Sequence, residues 1–219
     1  MQYRNVAYFI NGFQDHPDLK PAVNYDFFNP KAGISYLLRN TYNEIQKLYA
    51  SIAVGNREPN HDDYEVDPQH LPKPETLYDA EAGYEINKNK WTAGANLYYM
   101  YYNNQLVLTG QINDVGAYTQ TNVPKSYRAG IELQAAVKPL TWLAISANST
   151  FSQNKINNFT EYIDNGDNGG QVSYTHSNTD IAFSPGVISA GTITFTPFQH
   201  LPHGQNLELD ITEKYVSRP

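Results

Sequence analysis

The 219-residue sequence predicts an all-β chain, an antiparallel up-and-down segment of a transmembrane β-barrel with about eight strands. Three observations carry this: apolar and polar residues alternate with a period of two, aromatic residues bracket the apolar runs, and the connections alternate between short and long.

Residues 90 to 110 show the alternation best. Trp91, Ala93, Ala95, Leu97, Tyr99 and Tyr101 fall on one face of a strand, and Thr92, Gly94, Asn96, Tyr98, Met100 and Tyr102 fall on the other. At roughly 3.3 Å per residue and a tilt of about 40°, the first set climbs roughly 20–25 Å, the height of a barrel's apolar band between its aromatic girdles.

The same parity recurs along the chain. In "ETLYDAEAGYEI" all four acids share one face. In "SYRAGIELQAAV" the set Tyr127, Ala129, Ile131, Leu133, Ala135 and Val137 is apolar and its complement mostly polar. In "NLELDITEKY" Leu207, Leu209, Ile211 and Tyr215 oppose Asn206, Glu208, Asp210, Thr212 and Lys214, with Glu213 the one intruder on the apolar side. Weaker alternation runs through Phe28, Ala32, Ile34 and Tyr36, through Leu48, Ala50, Ile52 and Val54, and through Leu143, Ile145, Ala147 and Phe151. Helical spacing fits these segments less well.

The connections add direction. Near "LLRNTYNEIQ", "EINKNKW", "VKPLTW" and "TPFQHLPHGQN" the chain reverses in a few residues, whereas residues 56 to 74 and 155 to 182 are long, polar and rich in Asn, Asp and Gly. Tight periplasmic turns and larger extracellular loops give outer-membrane barrels this asymmetry. Trp91 and Trp142 each follow a short turn and so belong at one rim, while Tyr99, Tyr101 and Tyr127 belong at the other membrane interface. Pro124 interrupts a strand and cannot donate to its ladder, which predicts a bulge or the strand's emergence above the membrane.

Composition narrows the function. With 15 basic and 22 acidic residues, a net charge of −7 and no cationic cluster, the chain lacks the electrostatics of a nucleic-acid partner. The absence of cysteine excludes disulfides, thiolate metal sites and a Cys nucleophile. The start "MQYRNVAYFINGF" has no secretory leader pattern, and no apolar run approaches the roughly 20 residues of a transmembrane helix. The 18 Tyr favour a setting with one end apolar and the other wet. A soluble β-sandwich that recognises carbohydrate through exposed Tyr and Trp is the alternative, but a strand over 91 to 108 would extend roughly 55–60 Å, far beyond the usual length. A lipid-degrading barrel enzyme finds no Ser, His and acid set with a spacing signal.

The runs "LPKPETLYDAEAGYE", "WTAGANLYYMYYNNQLVLT" and "YTQTNVPKSYRAGIELQAA" resemble the C-terminal barrel half of TonB-dependent outer-membrane receptors. The resemblance is carried by a Pro-Glu pair opening a strand, by a long strand ending near Asn-Gln, and by Asn122 followed by Ser126, Arg128, Gly130 and Glu132. Upstream, "FFNPKAGISYLLRN" and "KLYASIAVGNREPNHDD" are similar to two further strands of that family, so the likeness covers roughly residues 24 to 217. It implies residues 1–219 as a partial barrel domain in the bacterial outer membrane, cut from a 22-stranded barrel, without the plug domain or the terminal strands. The implied activity is TonB-energised uptake of a scarce nutrient such as a ferric siderophore or other iron complex, with no catalysis and no cofactor. The implied partners are the remainder of the barrel and its plug, TonB through the N-terminal part, lipid, and the small-molecule ligand.

Within that frame, Arg57, His61, Asp62, Asp63, Tyr64 and His70 of the 56–74 loop offer ligand contacts, since Arg pairs with carboxylate or phosphate and Tyr stacks and donates; a solvated loop is the bland alternative and weighs more. Asp164, Asp167 and Asn168 fit a turn better than a calcium loop. His176, His200 and His203 show no convergent third ligand, so no metal site is expected. Asp79, Glu81 and Glu85 fit a wet lumen wall better than a hydrolytic pair.

Overall fold

The computed structural model describes residues 1–13, 17–64, 71–112, 118–166, 169–198 and 206–218. Among these residues there are eleven strands: β1 (Gln2–Phe9), β2 (Ala22–Asn29), β3 (Lys31–Thr41), β4 (Glu44–Arg57), β5 (Glu75–Lys88), β6 (Trp91–Ile112), β7 (Tyr118–Leu140), β8 (Leu143–Asp164), β9 (Gln171–Asp180), β10 (Val187–Phe198) and β11 (Leu207–Val216). A single 3-10 turn, His61–Tyr64, lies between β4 and β5. Eight strands form one antiparallel path in the order β11-β10-β8-β7-β6-β5-β4-β3, the up-and-down arrangement the connections predicted. The path is open, ending on β3 and β11.

Cross-strand register aligns the apolar parities into one face. Leu97 lies opposite both Ala82 and Ile131, Ala50 opposite Ala82 and Ile34, and Ile145 opposite Val137 and Ile193. No second layer of the described chain covers this face, and Ile34, Ile52, Leu97 and Ile211 are 58–74% exposed. A sandwich would bury these side chains against a facing sheet, so the exposure separates this single sheet from the sandwich alternative. The opposite face carries Asp79, Glu81, Glu85, Asn96, Glu132, Gln134 and Asn148, opposed in register along β5 to β8.

Three two-residue reversals, at Tyr42–Asn43, Asn89–Lys90 and Thr141–Trp142, mark one end of the sheet. The reversal expected within "TPFQHLPHGQN" falls largely on 199–205, outside the described residues, and carries His200 and His203 with it. At the other end, the region 155 to 182 is not the loop its polarity suggested. β8 continues to Asp164 and pairs with β9 over Lys155–Asp164, so most of this region is a hairpin. Above the apolar band both faces are wet, and alternation loses its contrast there. β1 and β2 form a separate two-stranded sheet at the same end, with one face of each strand covered, through Arg4, Val6 and Tyr8 and through Val23, Tyr25 and Phe27.

β9 and β10 both pair antiparallel with β8 and act as one long strand interrupted at 181–186. Ile181 N donates to Asn154 O, and Ser152 N donates to Gly186 O, so six residues of this strand oppose three of β8. Pro124 does mark an irregularity: Asn103 pairs with Lys125 and Gln105 with Val123, while the facing Asn104 has φ 53° and the intervening pair drops out of the ladder. The buried apolar residues gather at the long-loop end in two clusters, Ile10, Phe13 and Tyr64, and Val123, Ile156 and Ile181.

Candidate functional site

The loop after β4 is held from three sides. Arg57 Nη2 donates to Glu75 Oε2 at 3.0 Å and also reaches the Leu106 carbonyl. Glu75 in turn accepts the Leu106 amide at 3.0 Å, joining the ends of β4, β5 and β6. Asp63 is buried; its Oδ2 accepts Asn60 N at 2.8 Å and its Oδ1 accepts Gln120 N at 3.3 Å. Burial raises its carboxyl above the ordinary value of 3.8, against the lowering effect of both amides and of Arg57.

Tyr64 is fully buried between Ile10 and Phe13, with its hydroxyl 3.1 Å from that of Tyr25 and its ring 6.2 Å from that of Tyr8. Burial and the Tyr25 bond push its phenol upward. His61 and Asp62 differ: they pair at 3.1 Å, both side chains stay largely exposed, and the His61 ring packs against Phe13 at 4.9 Å. Of the five loop residues, then, Arg57, Asp63 and Tyr64 have their polar atoms engaged within the fold, and His61 and Asp62 face outward. His70 lies outside the described residues.

The residues of the Ser-x-Arg-x-Gly-x-Glu run each have a distinct contact. Asn122 Nδ2 donates to Asn104 O at 2.7 Å and Lys73 O at 2.9 Å, and its Oδ1 accepts Lys73 N at 2.7 Å, tying the chain before β5 to the β6–β7 irregularity. Ser126, buried, donates to Gln105 Oε1 at 2.5 Å. Arg128 Nη1 donates to Ser184 Oγ at 2.8 Å, reaching across β8 to the 181–186 bulge. Gly130 leaves room for Tyr98, its direct partner on β6. Glu132 accepts from Asn96 at 3.2 Å within a polar recess of about 340 Å³ that Tyr49, Glu85, Gln134 and Asn148 also line.

The aromatic residues form two bands. Trp91 and Trp142 sit beside the short turns, with Lys88 Nζ 5.4 Å from the Trp91 ring and Trp142 stacked on Phe195 at 6.4 Å. Eight residues further along β6, Tyr99 stacks on Tyr127 at 6.1 Å, and Tyr101 meets Tyr78 at 6.5 Å.

Other singled-out residues are engaged locally. Asp164 Oδ1 accepts from Gln171, while Asp167 and Asn168 lie outside the described residues. His176 pairs with Glu161 at 3.0 Å. Glu85 pairs with Lys47 at 2.8 Å, and Asp79 Oδ1 is buried without a partner. Among the described residues, no three His, Cys, Asp or Glu groups converge as a metal site.

Residues 3–205 match the family model described as "TonB dependent receptor-like, beta-barrel". The chain belongs to this TonB-dependent receptor family. Solved structures agree in fold with this receptor segment. It aligns with the FrpB iron transporter from Neisseria meningitidis (F3-3 variant) at a TM-score of 0.59 and 15% identity, covering 98% of this chain and 29% of that one. It aligns with the copper transporter OprC at 0.53 and 16% identity, covering 78% of this chain and 24% of that one. The receptor segment thus spans less than a third of either transporter's length. No curated protein matches it at the level of sequence.

Sequence reasoning passed over the β1–β2 hairpin and the 181–186 bulge. The "Ser-Pro-Gly" run at 184–186 was the available signal for the second, as a turn-forming cluster between two strands.

Proposed function

We propose that this chain forms part of the wall of an outer-membrane receptor that takes up a scarce nutrient, an iron complex such as a ferric siderophore, with energy delivered through TonB. The observation that carries the reading is the uncovered apolar face between two aromatic bands, backed by a face of carboxylates, amides and hydroxyls. One face meets hydrocarbon and the other a wet lumen. The short turns lie in the periplasm, and the end bearing the β1–β2 hairpin and the 3-10 turn faces outward. The open edges of β3 and β11 pair with further strands of the same wall.

An iron cargo agrees with the iron transporter among the structural relatives, while the copper transporter of similar fold marks metal uptake as the broader class. Solute contact in the loop falls to His61 and Asp62, with Arg57, Asp63 and Tyr64 giving the loop its shape. The test is uptake of radiolabelled iron by cells carrying the whole receptor. Uptake should require both the receptor and TonB, and should weaken in His61→Ala and Asp62→Ala at unchanged receptor abundance. Recovery of the whole receptor in the soluble fraction, or uptake indifferent to TonB, would overturn the reading.

A further inference from the structure

The apolar face of the sheet is breached on β10 and β11. In the row that runs Ala93–Ala135–Ala147–Gly191–Glu213, the last residue puts a carboxyl on the side of the sheet that carries Trp91, Ile145 and Ile211. The next row, Ala95–Leu133–Ser149–Ser189–Tyr215, adds two hydroxyls, which bond each other at 2.9 Å. An ionisable group turned toward hydrocarbon is costly, and it marks a contact that offsets the cost.

Glu213 borders a hollow of about 420 Å³ on this same face, which Ile145, Ala147, Ser189, Gly191, Ile211 and Tyr215 also line. The fold does not require the glycine. A Cβ on Gly191 would meet nothing nearer than the Ser146 carbonyl at 3.7 Å, an ordinary contact, whereas the same addition at Gly83 or Gly130 would collide. What Gly191 supplies is space for something to approach the strand closely. The hollow lies over β10, inward of Glu213 from the open edge of β11, so a further wall strand pairing with β11 in the plane of the sheet leaves it uncovered.

The hollow favours a cation. Among the described residues no Lys, Arg or His pairs with Glu213, and Tyr215, 58% exposed, offers a π face beside the carboxyl. The Glu213 row stands two residues above the Trp91–Val137–Ile145–Ile193–Ile211 row, roughly 5 Å of height at a tilt of about 40°. That depth is just inside the Trp band, within reach of the headgroups of the periplasmic leaflet.

We propose that this hollow seats the primary ammonium of an aminophospholipid headgroup, with Glu213 as its counter-ion and the Tyr215 ring beside it. This rests on the membrane-wall reading above and gives the exterior of that wall a lipid partner. A carboxylate and an ammonium form a charge-assisted hydrogen bond that strengthens next to hydrocarbon, whereas an anionic headgroup without an amine is repelled. A second copy packed here about a two-fold axis would bring two Glu213 carboxylates into one contact, which disfavours self-association as the occupant.

The whole receptor in detergent is mixed with phosphatidylethanolamine or with phosphatidylglycerol of the same acyl chains, and bound lipid is read by native mass spectrometry. The unaltered receptor should hold phosphatidylethanolamine about tenfold more tightly than phosphatidylglycerol. Glu213→Gln, which keeps the shape, and Gly191→Val, which fills the hollow, should each weaken phosphatidylethanolamine binding about tenfold, with the heat-modifiable folded fraction unchanged. Equal retention of the two lipids, or an undiminished preference in either folded variant, overturns the proposal. So does a polypeptide photo-crosslinked in cells to p-benzoylphenylalanine placed at Ser189. A receptor that stays in membranes and takes up solute through TonB after any of these results keeps the wall reading and loses only the lipid site, whereas a receptor recovered in the soluble fraction loses both.

Discussion

Tyr98 lies directly across the β6–β7 ladder from Gly130, and a Cβ placed on Gly130 would stand 2.6 Å from the Tyr98 hydroxyl and closer still to the Phe151 carbonyl. Tyr49 covers Gly83 in the same way two strands over, but there the encroaching atoms belong to the far end of the Tyr49 ring. The two glycines should therefore respond differently. Gly130→Ala should destabilise the whole receptor by about 1–3 kcal/mol, and removing Tyr98 should not restore it, because the Phe151 backbone still intrudes. Gly83→Ala should be largely rescued by Tyr49→Ala. Thermal unfolding of the four variants in detergent checks both expectations.

Asn122 fills three hydrogen bonds to Lys73 and Asn104. Asn122→Asp keeps the acceptor for Lys73 N and loses both donors, leaving two carbonyls facing a carboxylate. The Leu71 and Lys73 amides, the only ones in the Leu-Pro-Lys-Pro stretch 71–74, should exchange faster by an amount equivalent to about 1–3 kcal/mol, with little change in the membrane-spanning amides, as read by hydrogen exchange on the whole receptor.

Arg57 tests loop architecture against ligand contact. Its partner Glu75 is buried, and Arg57→Ala leaves that carboxylate with only the Leu106 amide. Because the Arg57 side chain is about half exposed, water softens the loss to about 1–2 kcal/mol. The expected outcome is faster protease cleavage in the 58–74 loop. Weaker solute binding with unchanged cleavage would instead place Arg57 in the contact surface.

Two carboxyls give opposite pH dependences. Asp63 has its carboxyl raised by burial, so its stabilising contribution is complete below the ordinary value of 3.8 and is lost as pH rises through the folded value. Asp26 is held low by the Tyr3 hydroxyl and by Asn5, so its contribution is present above 3.8 and is lost as pH falls through the folded value. Acidification should thus tighten the 3-10 turn and loosen the β1–β2 hairpin. Limited proteolysis across an acid pH series should show the two segments diverging, and Asp63→Asn and Asp26→Asn should each flatten one slope.

The faces of the sheet make a further prediction about solvent. Ala95→Arg, on the apolar face midway between the Trp91 and Tyr99 bands, should reduce assembly of the whole receptor, with a cost of about 2–4 kcal/mol at the bilayer midplane. Asn96→Arg, one residue away on the polar face, should be tolerated. Comparing heat-modifiable folded receptor in isolated membranes separates the two.

The sequence alone makes seven of the eight strands of the path legible, because each divides an apolar parity from a mostly polar one; β10 escapes that reading, since Ser189 and Gly191 share the parity of Val187 and Ile193 while Ile188 and Ala190 fall on the other. The sequence also placed Trp91 and Trp142 at one rim and the Tyr residues at the other, since rise per residue converts sequence distance directly into height. The roles of Asp63 and Tyr64 follow only from packing between distant segments. Tyr64 is buried by Ile10 and Phe13 from some fifty residues upstream, Asp63 is held by the amide of Gln120 from the other direction, and the 181–186 bulge is braced by Arg128 reaching across β8. Beyond the apolar band, β2 still alternates Val23, Tyr25 and Phe27 with Asn24 and Asp26, but its covered face meets a loop and not a neighbouring strand, so periodicity there does not say what the face packs against. What fixes each side chain is then which distant segment folds against it.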